Sequence, residues 1–220
     1  MPPSEKSLHQ LLVEGDHDKY VVINLLMRHG LDWDQPKTSA PHVRDCNSYQ
    51  EVLLQLPEII RNPRYLRIGV MLDADNHLPK RWREIQAAVG KDFFISSQPE
   101  PAGLIVSNSK QQRLGLWLMP DNSLSGALED FVVKLVPTND PTWDHADTSV
   151  ATAKHLGAPF DDGDRLKARL HTWLAWRKEP GVPYGRAINS KYFEHDTAEA
   201  RSFVAWFCKL YDIDLTAVDE

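Results

Sequence analysis

The sequence predicts an α/β protein, a central and mostly parallel sheet flanked by helices, with a helical C-terminal extension. Three observations carry this. Two apolar runs, Leu11-Leu12-Val13 and Ile68-Gly69-Val70-Met71-Leu72, each lead into acids, as strands buried on both faces and ending at a sheet rim do. Helical and extended patterns alternate around them, which argues for parallel strands joined by right-handed crossovers. After Pro120-Asp121-Asn122 the remaining apolar residues recur at spacings of three and four, the helical period.

Residues 8–13 read as the first strand, and Gly15 turns the chain into a helix at 16–28 with Tyr20, Ile23, Leu26 and Met27 near the helical period. Gly30 ends that helix, because a residue without Cβ readily takes the left-handed conformation that closes a C-terminus. A Pro-punctuated stretch follows, with a weak strand pattern at 42–44. Val52, Leu53, Leu56, Ile59 and Ile60 then form one stripe of a helix at 48–61. Residues 67–72 make the strongest strand pattern, and Trp82, Ile85, Ala88 and Val89 mark the next helix. Further strands are expected at 104–106 and 113–119. Helices are expected near 125–135, 147–156, 164–176 and 198–211. The chain thus divides into an α/β core at 1–137 and a helical extension at 138–220 packed on it.

The 220 residues are 42% hydrophobic and 25% charged, ordinary for a soluble globular protein, and no apolar run approaches the roughly 20 residues that span a bilayer. Met1-Pro2-Pro3-Ser4-Glu5-Lys6 lacks the apolar core of a secretory signal, so a cytoplasmic protein without membrane contact is expected. Cys46 and Cys208 belong to no Cys-x-x-Cys pair, which argues against disulfides and zinc. A net charge of -6 gives no basic footprint of an extended nucleic-acid binder. It does not exclude nucleic acid, since an acidic enzyme can concentrate negative charge where divalent cations bind. Lys80, Arg81 and Arg83 follow the second acidic cluster and are candidates to guide a phosphate backbone; the plainer account is a solvated helix face.

The acids point to a metal. Glu14 lies at a strand end and Asp18 just inside the following helix, so both can face one rim. Asp73 and Asp75 flank Ala74, and residues two apart on an extended strand point to the same side. Such oxygen ligands suit Mg²⁺ or Mn²⁺. Each signal alone has a bland reading, since Asp is common in turns and at helix N-caps. Their combination and order carry the argument.

Val13-Glu14-Gly15 with Asp18, and Val70-Met71-Leu72-Asp73-Ala74-Asp75, resemble the glutamate and Asp-x-Asp motifs of the Toprim domain. That Rossmann-like domain is shared by topoisomerases, bacterial primases, small ribonucleases and the overcoming-lysogenisation-defect nucleases. The resemblance covers roughly residues 8 to 125. Trp117-Leu118-Met119-Pro120-Asp121-Asn122, Gly126-Ala127-Leu128-Glu129-Asp130-Phe131 and Ala187-Ile188-Asn189-Ser190-Lys191-Tyr192-Phe193 resemble a family of unknown function made of small stand-alone Toprim-like proteins. Many of its relatives accompany ATPases of phage-defence type. The resemblance implies Glu14 as general acid/base or metal ligand, and Asp18, Asp73 and Asp75 as metal ligands. No nucleophilic-tyrosine domain or zinc-binding cysteines accompany the motifs. Asn76-His77-Leu78-Pro79-Lys80 stands where the ribonucleases carry a Gly-containing motif, so their substrate is not implied.

The function expected is a metal-dependent nuclease or phosphodiesterase acting on DNA or RNA through a Mg or Mn centre, in phage defence, with an ATPase partner and a homo-oligomeric state left open. Glu129 reads either as a further ligand or as a helix-surface acid. Lys191 is the remote candidate for a catalytic, phosphate-binding cation, or a solvated lysine after a turn. His17 and His77 adjoin the motifs and read as bystanders. Trp82, Trp117, Trp143, Trp173, Trp176 and Trp206 fit core packing better than base stacking. The alternative from another class is a non-catalytic adaptor binding an ATPase or nucleic acid. A haloacid-dehalogenase-like phosphatase or a glycosyltransferase would also use Asp-x-Asp, but neither accounts for the Glu-Gly turn.

Overall fold

A computed structural model describes residues 7–33 and 40–215; residues 34–39, within the Pro-punctuated stretch, lie outside it. The elements are β1 (His9–Val13), α1 (Asp16–Arg28), β2 (His42–Asp45), α2 (Tyr49–Arg61), β3 (Arg67–Asp73), α3 (Leu78–Val89), β4 (Leu104–Ser107) and β5 (Arg113–Met119). There follow α4 (Leu128–Val132), α5 (Pro141–His155), α6 (Arg165–Ala175), α7 (Tyr184–Asn189) and α8 (Ala198–Tyr211). No described helix is long and apolar enough to cross a membrane.

The protein is α/β, with five strands in the order β2-β1-β3-β5-β4. The first four in that order run parallel and β4 pairs antiparallel to β5 at the edge. β1 and β3 are neighbours in register from His9↔Arg67 to Leu12↔Val70, so their carboxyl ends emerge side by side. The chain leaves β1 toward β2 on one side, while β3 leads to β5 and β4 on the other. Ligand sites in open α/β sheets gather at such a switch point.

The period of two explains why the strands read as continuous apolar runs. Leu11, Val13, Met71, Trp117 and Met119 face α1 and the C-terminal helices. Leu12, Ile68, Val70, Leu72, Leu114, Leu116 and Leu118 pack on the other face with Val52, Leu56, Ile59 and Ile60 of α2 and Trp82, Ile85 and Val89 of α3. Trp82, Trp117, Trp173 and Trp206 are fully buried and fill the core.

Local chemistry sets the helix ends. Ser48 caps α2 by accepting from the Glu51 N–H at 3.2 Å, and Gly30 follows α1 with φ 92°. α5 begins at Pro141, earlier than its apolar spacing predicts, because Asp140 caps it by accepting from the Thr142 N–H at 2.8 Å and proline suits the first helical position. The helix expected near 125–135 starts at Leu128 and tightens into a 3₁₀ turn at Val133–Leu135. The apolar pattern gave no sign of α7, a single Gly-containing turn and a half.

α8 lies on the sheet because Gly69 and Gly115 leave room for it. A Cβ on Gly69 would stand 2.3 Å from the Tyr211 Oη and 2.8 Å from Leu11 Cδ1; on Gly115, 2.4 Å from Leu210 Cδ2. Tyr211 is fully buried and donates to the Gln10 carbonyl at 2.8 Å, while Asp212 just beyond α8 pairs with Arg67 and Arg113. Gly69→Ala therefore displaces Tyr211 from its acceptor and is expected to cost about 1–3 kcal/mol, read as a lower urea midpoint. An unchanged midpoint contradicts this packing.

Candidate metal centre

The first two acids meet because their strands do. Glu14 follows β1 directly, and its Oε1 accepts from the Asp73 N–H at the end of β3 at 2.9 Å. Asp18 sits in the first turn of α1, only 8% exposed, and its Oδ2 accepts from the Gly15 N–H at 3.0 Å. Glu129 comes from the first turn of α4, close enough for its charge to act on both Asp18 and Asp73. Its neighbour Asp130 is turned away to accept from the Ala127 N–H at 2.8 Å. Glu14, Asp18, Asp73 and Glu129 are thus brought to one rim from four parts of the chain.

Asp75 behaves differently from the expectation of a continuous strand. β3 ends at Asp73, and Asp75 has a left-handed backbone with φ 51°. Its N–H and carbonyl both pair with Gly126 at 2.8 Å, and its carboxylate is bound by Arg81. Arg81 is 5% exposed, so it does not lie open to a phosphate backbone. Its Nε donates to the Asp73 carbonyl at 3.1 Å, another nitrogen reaches Glu84 at 3.3 Å, and its guanidinium stacks 3.5 Å from the centre of the Tyr49 ring. It is a clamp between the second acidic cluster and α2.

Lys80 and Arg83 are exposed on α3, Lys80 standing 3.8 Å from Glu84. His77 and Lys80 line a cleft of about 260 Å³ with Tyr49, Asp75, Asn76 and Arg81. Lys191 is not brought to the acids. It shares a different cleft with Arg28 and His195, at the C-terminal end of α1, whereas Asp18 lies in the first turn of that helix. A helix of 13 residues is roughly 20 Å long. The lysine that reaches the rim is Lys167 of α6, 3.8 Å from Glu129. Nothing in a helical spacing reveals which turn meets a sheet rim, so Lys167 carries no signal in the sequence.

Burial pushes the Asp73 carboxyl up to about 9, and the charges of Asp18, Glu14, Glu129 and Asp75 add to it. Burial, then the charge of Glu14, pushes Asp18 up to about 7. Glu14 is also raised by burial, offset by the Asp73 N–H and by Arg81. The Asp73 Oδ1 is buried and has no hydrogen-bond partner, an expensive state for a carboxylate oxygen. Among the described residues no three His, Cys, Asp or Glu side chains are already drawn together around a metal position. The donor chemistry fits one: all-carboxylate oxygen, an orphaned acceptor and like charges in need of a counter-ion are what Mg²⁺ and Mn²⁺ satisfy. Glu14, Asp18, Asp73 and Glu129 are the residues that would hold it.

Comparisons with curated proteins and with solved structures give no match. A family model described as "Protein of unknown function (DUF3226)" matches residues 8–212, nearly the whole described chain, and the protein belongs to that family.

Proposed function

We propose that the protein is a metal-dependent phosphodiester hydrolase of Toprim type acting on nucleic acid. The observation that carries this reading is the unpartnered, buried Asp73 Oδ1 beside Glu14 at the β1/β3 switch point, with Asp18 and Glu129 at the same rim. A bound Mg or Mn ion there supplies Lewis-acid polarisation of a phosphoryl oxygen and a water of lowered pKa. Glu14 is held by the Asp73 N–H, in position to act as a ligand or as general base. Asp73 and Asp18 give up protons when the site fills, because both carboxyls titrate far above their ordinary range. Arg81 holds Asp75 beside them, and the exposed Lys80 and Arg83 extend the surface along which a phosphate backbone would run. The resemblance to the overcoming-lysogenisation-defect nucleases makes phage defence the setting and an ATPase the partner to try.

One observation favours the non-catalytic adaptor: Asp75 is already neutralised by Arg81, so one of the expected ligands is engaged elsewhere. Supercoiled plasmid and RNA incubated with Mn²⁺ or Mg²⁺ distinguish the two. The hydrolase reading expects nicking or cleavage that falls at least about 100-fold in Glu14→Gln, since removing a group that acts in the transition state commonly costs that much. Cleavage that survives both Glu14→Gln and Asp73→Asn overturns it.

A further inference from the structure

We propose that His195 is a pH-operated clasp on the cleft at the C-terminal end of α1: neutral, its ring closes on Arg28, and protonated, it swings off and leaves Arg28 and Lys191 as paired cations facing the opened cleft. The inference does not depend on the metal reading above. Arg28 is the last residue of α1, and its guanidinium reaches three partners that follow α6 in the chain. Nη1 donates to the Ile188 carbonyl of α7 at 3.0 Å and to the Phe193 carbonyl at 3.1 Å, while Nη2 donates to the His195 Nδ1 at 2.7 Å. His29, one residue on, brings its Nε2 to 2.7 Å from the His195 carbonyl, and the two imidazole rings meet edge-on with centres 5.2 Å apart. Beside them lies a cleft of about 330 Å³, lined by Lys191, Glu194 and Asp196 as well as Arg28 and His195, which gives the ring room to move.

Donor and acceptor chemistry fixes the protonation states. A guanidinium can only donate, so the His195 Nδ1 holds a lone pair and the ring is neutral, its hydrogen on Nε2. A carbonyl can only accept, so the His29 Nε2 carries a hydrogen, and a proton added at the other nitrogen of that ring leaves its contact in place. A proton on the His195 Nδ1 instead removes the acceptor and sets one cation against another at hydrogen-bond distance, so His195 is the group that switches. Arg28 and His29 face it from α1, and Lys191, Glu194 and Asp196 from its own segment; Arg201 of α8 holds Asp196 at 3.0 Å, and the turn after α4 presents only the uncharged Pro137. Burial, then Arg28 and His29, push the His195 ring below the ordinary 6.5, against the pull of Asp196. Folded His195 therefore binds its proton less tightly than unfolded, so the clasp is closed above 6.5 and opens as pH falls through the lower folded value. The opening is local. On one side Phe193 is 1% exposed and packs on Trp173, and Glu194 donates its N–H to the Leu135 carbonyl at 2.7 Å; on the other Thr197 caps α8 by accepting from the Ala200 N–H at 3.2 Å.

The test is an NMR titration of the full-length chain between pH 7.5 and 5, reading the histidine ring nitrogens and the backbone amides of residues 188–197. At pH 7.5 the unaltered protein is expected to show His195 with its hydrogen on Nε2 and Nδ1 as acceptor. The ring then titrates below 6.5, and the amides of Arg28, Lys191 and Asp196 move with it. The order parameters of His195 and Asp196 are expected to fall from about 0.85, the rigid-backbone value, to below about 0.6 once the ring is charged. Arg28→Gln removes the facing cation and should bring the His195 titration back toward 6.5. His195→Asn, whose side-chain oxygen can accept from Arg28 but never ionises, should keep the segment ordered at both pH values. The carboxylate rim cannot imitate these changes, because Asp73 and Asp18 stabilise the fold as pH falls. A His195 hydrogen on Nδ1 at pH 7.5, a titration at or above 6.5, or amide movements that persist in His195→Asn overturn the clasp. The ring readings need only the unaltered protein, so they decide the matter even where a variant does not fold.

Discussion

Asp73→Asn is expected to stabilise the metal-free protein and to abolish the divalent-ion binding proposed for the rim. The carboxyl is pushed up to about 9 in the folded chain, chiefly by burial and then by Asp18, Glu14, Glu129 and Asp75, against 3.8 when unperturbed. A raised carboxyl binds its proton more tightly folded than unfolded. Its contribution is fully present below the unfolded value near 4 and is lost as pH rises through about 9. Asp18, raised to about 7, adds a loss of the same sign over the lower part of that window. The metal-free protein therefore loses stability between pH 5 and 9, and Asn, which never ionises, removes the Asp73 share. At pH 8 the gain is on the order of 3 kcal/mol, taking one pKa unit as about 1.4 kcal/mol and discounting for protons shared within the cluster. Urea denaturation in EDTA at several pH values reads it directly. A flat pH profile for the unaltered protein, or a less stable Asp73→Asn, contradicts the buried-carboxylate account.

Gly185→Ala carries the largest purely structural effect. α7 touches α1 at a point where an added methyl would stand 2.6 Å from both the carbonyl carbon and the oxygen of Tyr20, which is backbone and cannot rotate away. The helices must separate, and the expected cost is about 2–4 kcal/mol, at the upper end for overpacking. Guanidinium denaturation should show a lower midpoint. A midpoint equal to that of the unaltered chain contradicts this helix contact.

The parts of the fold that were legible in the sequence are those in which one residue decides the local outcome. Gly30 closes α1, Ser48 opens α2, and the period of two in β1, β3 and β5 puts successive side chains on opposite buried faces. The meeting of Glu14, Asp18 and Asp73 was legible because parallel neighbours present their carboxyl ends at one edge. Asp75 was not, since an Asp-x-Asp spacing fixes a shared face only while the strand lasts, and β3 stops at Asp73. Arg81 looked like a surface cation from its neighbours Lys80 and Arg83, yet the helical turn points it inward against Tyr49 and Asp75. Residue type alone singles out Lys191, and only the packing of α7 along α1 reveals that it stands at the far end of that helix. Lys167 lies far from Glu129 in sequence and meets it solely through helix packing, which no local pattern encodes.

The central claim is that acids from β1, α1, β3 and α4 share a divalent cation. Titrating Mn²⁺ at pH 7 in two buffers of different protonation enthalpy tests it most directly, because the difference in heat counts protons exchanged. The account predicts saturable binding with net proton release, drawn from Asp73 and Asp18, and neither binding nor release in Asp73→Asn. Binding without proton release, binding retained in Asp73→Asn, or no saturable binding up to about millimolar Mn²⁺, a standard free energy near 4 kcal/mol, would contradict it.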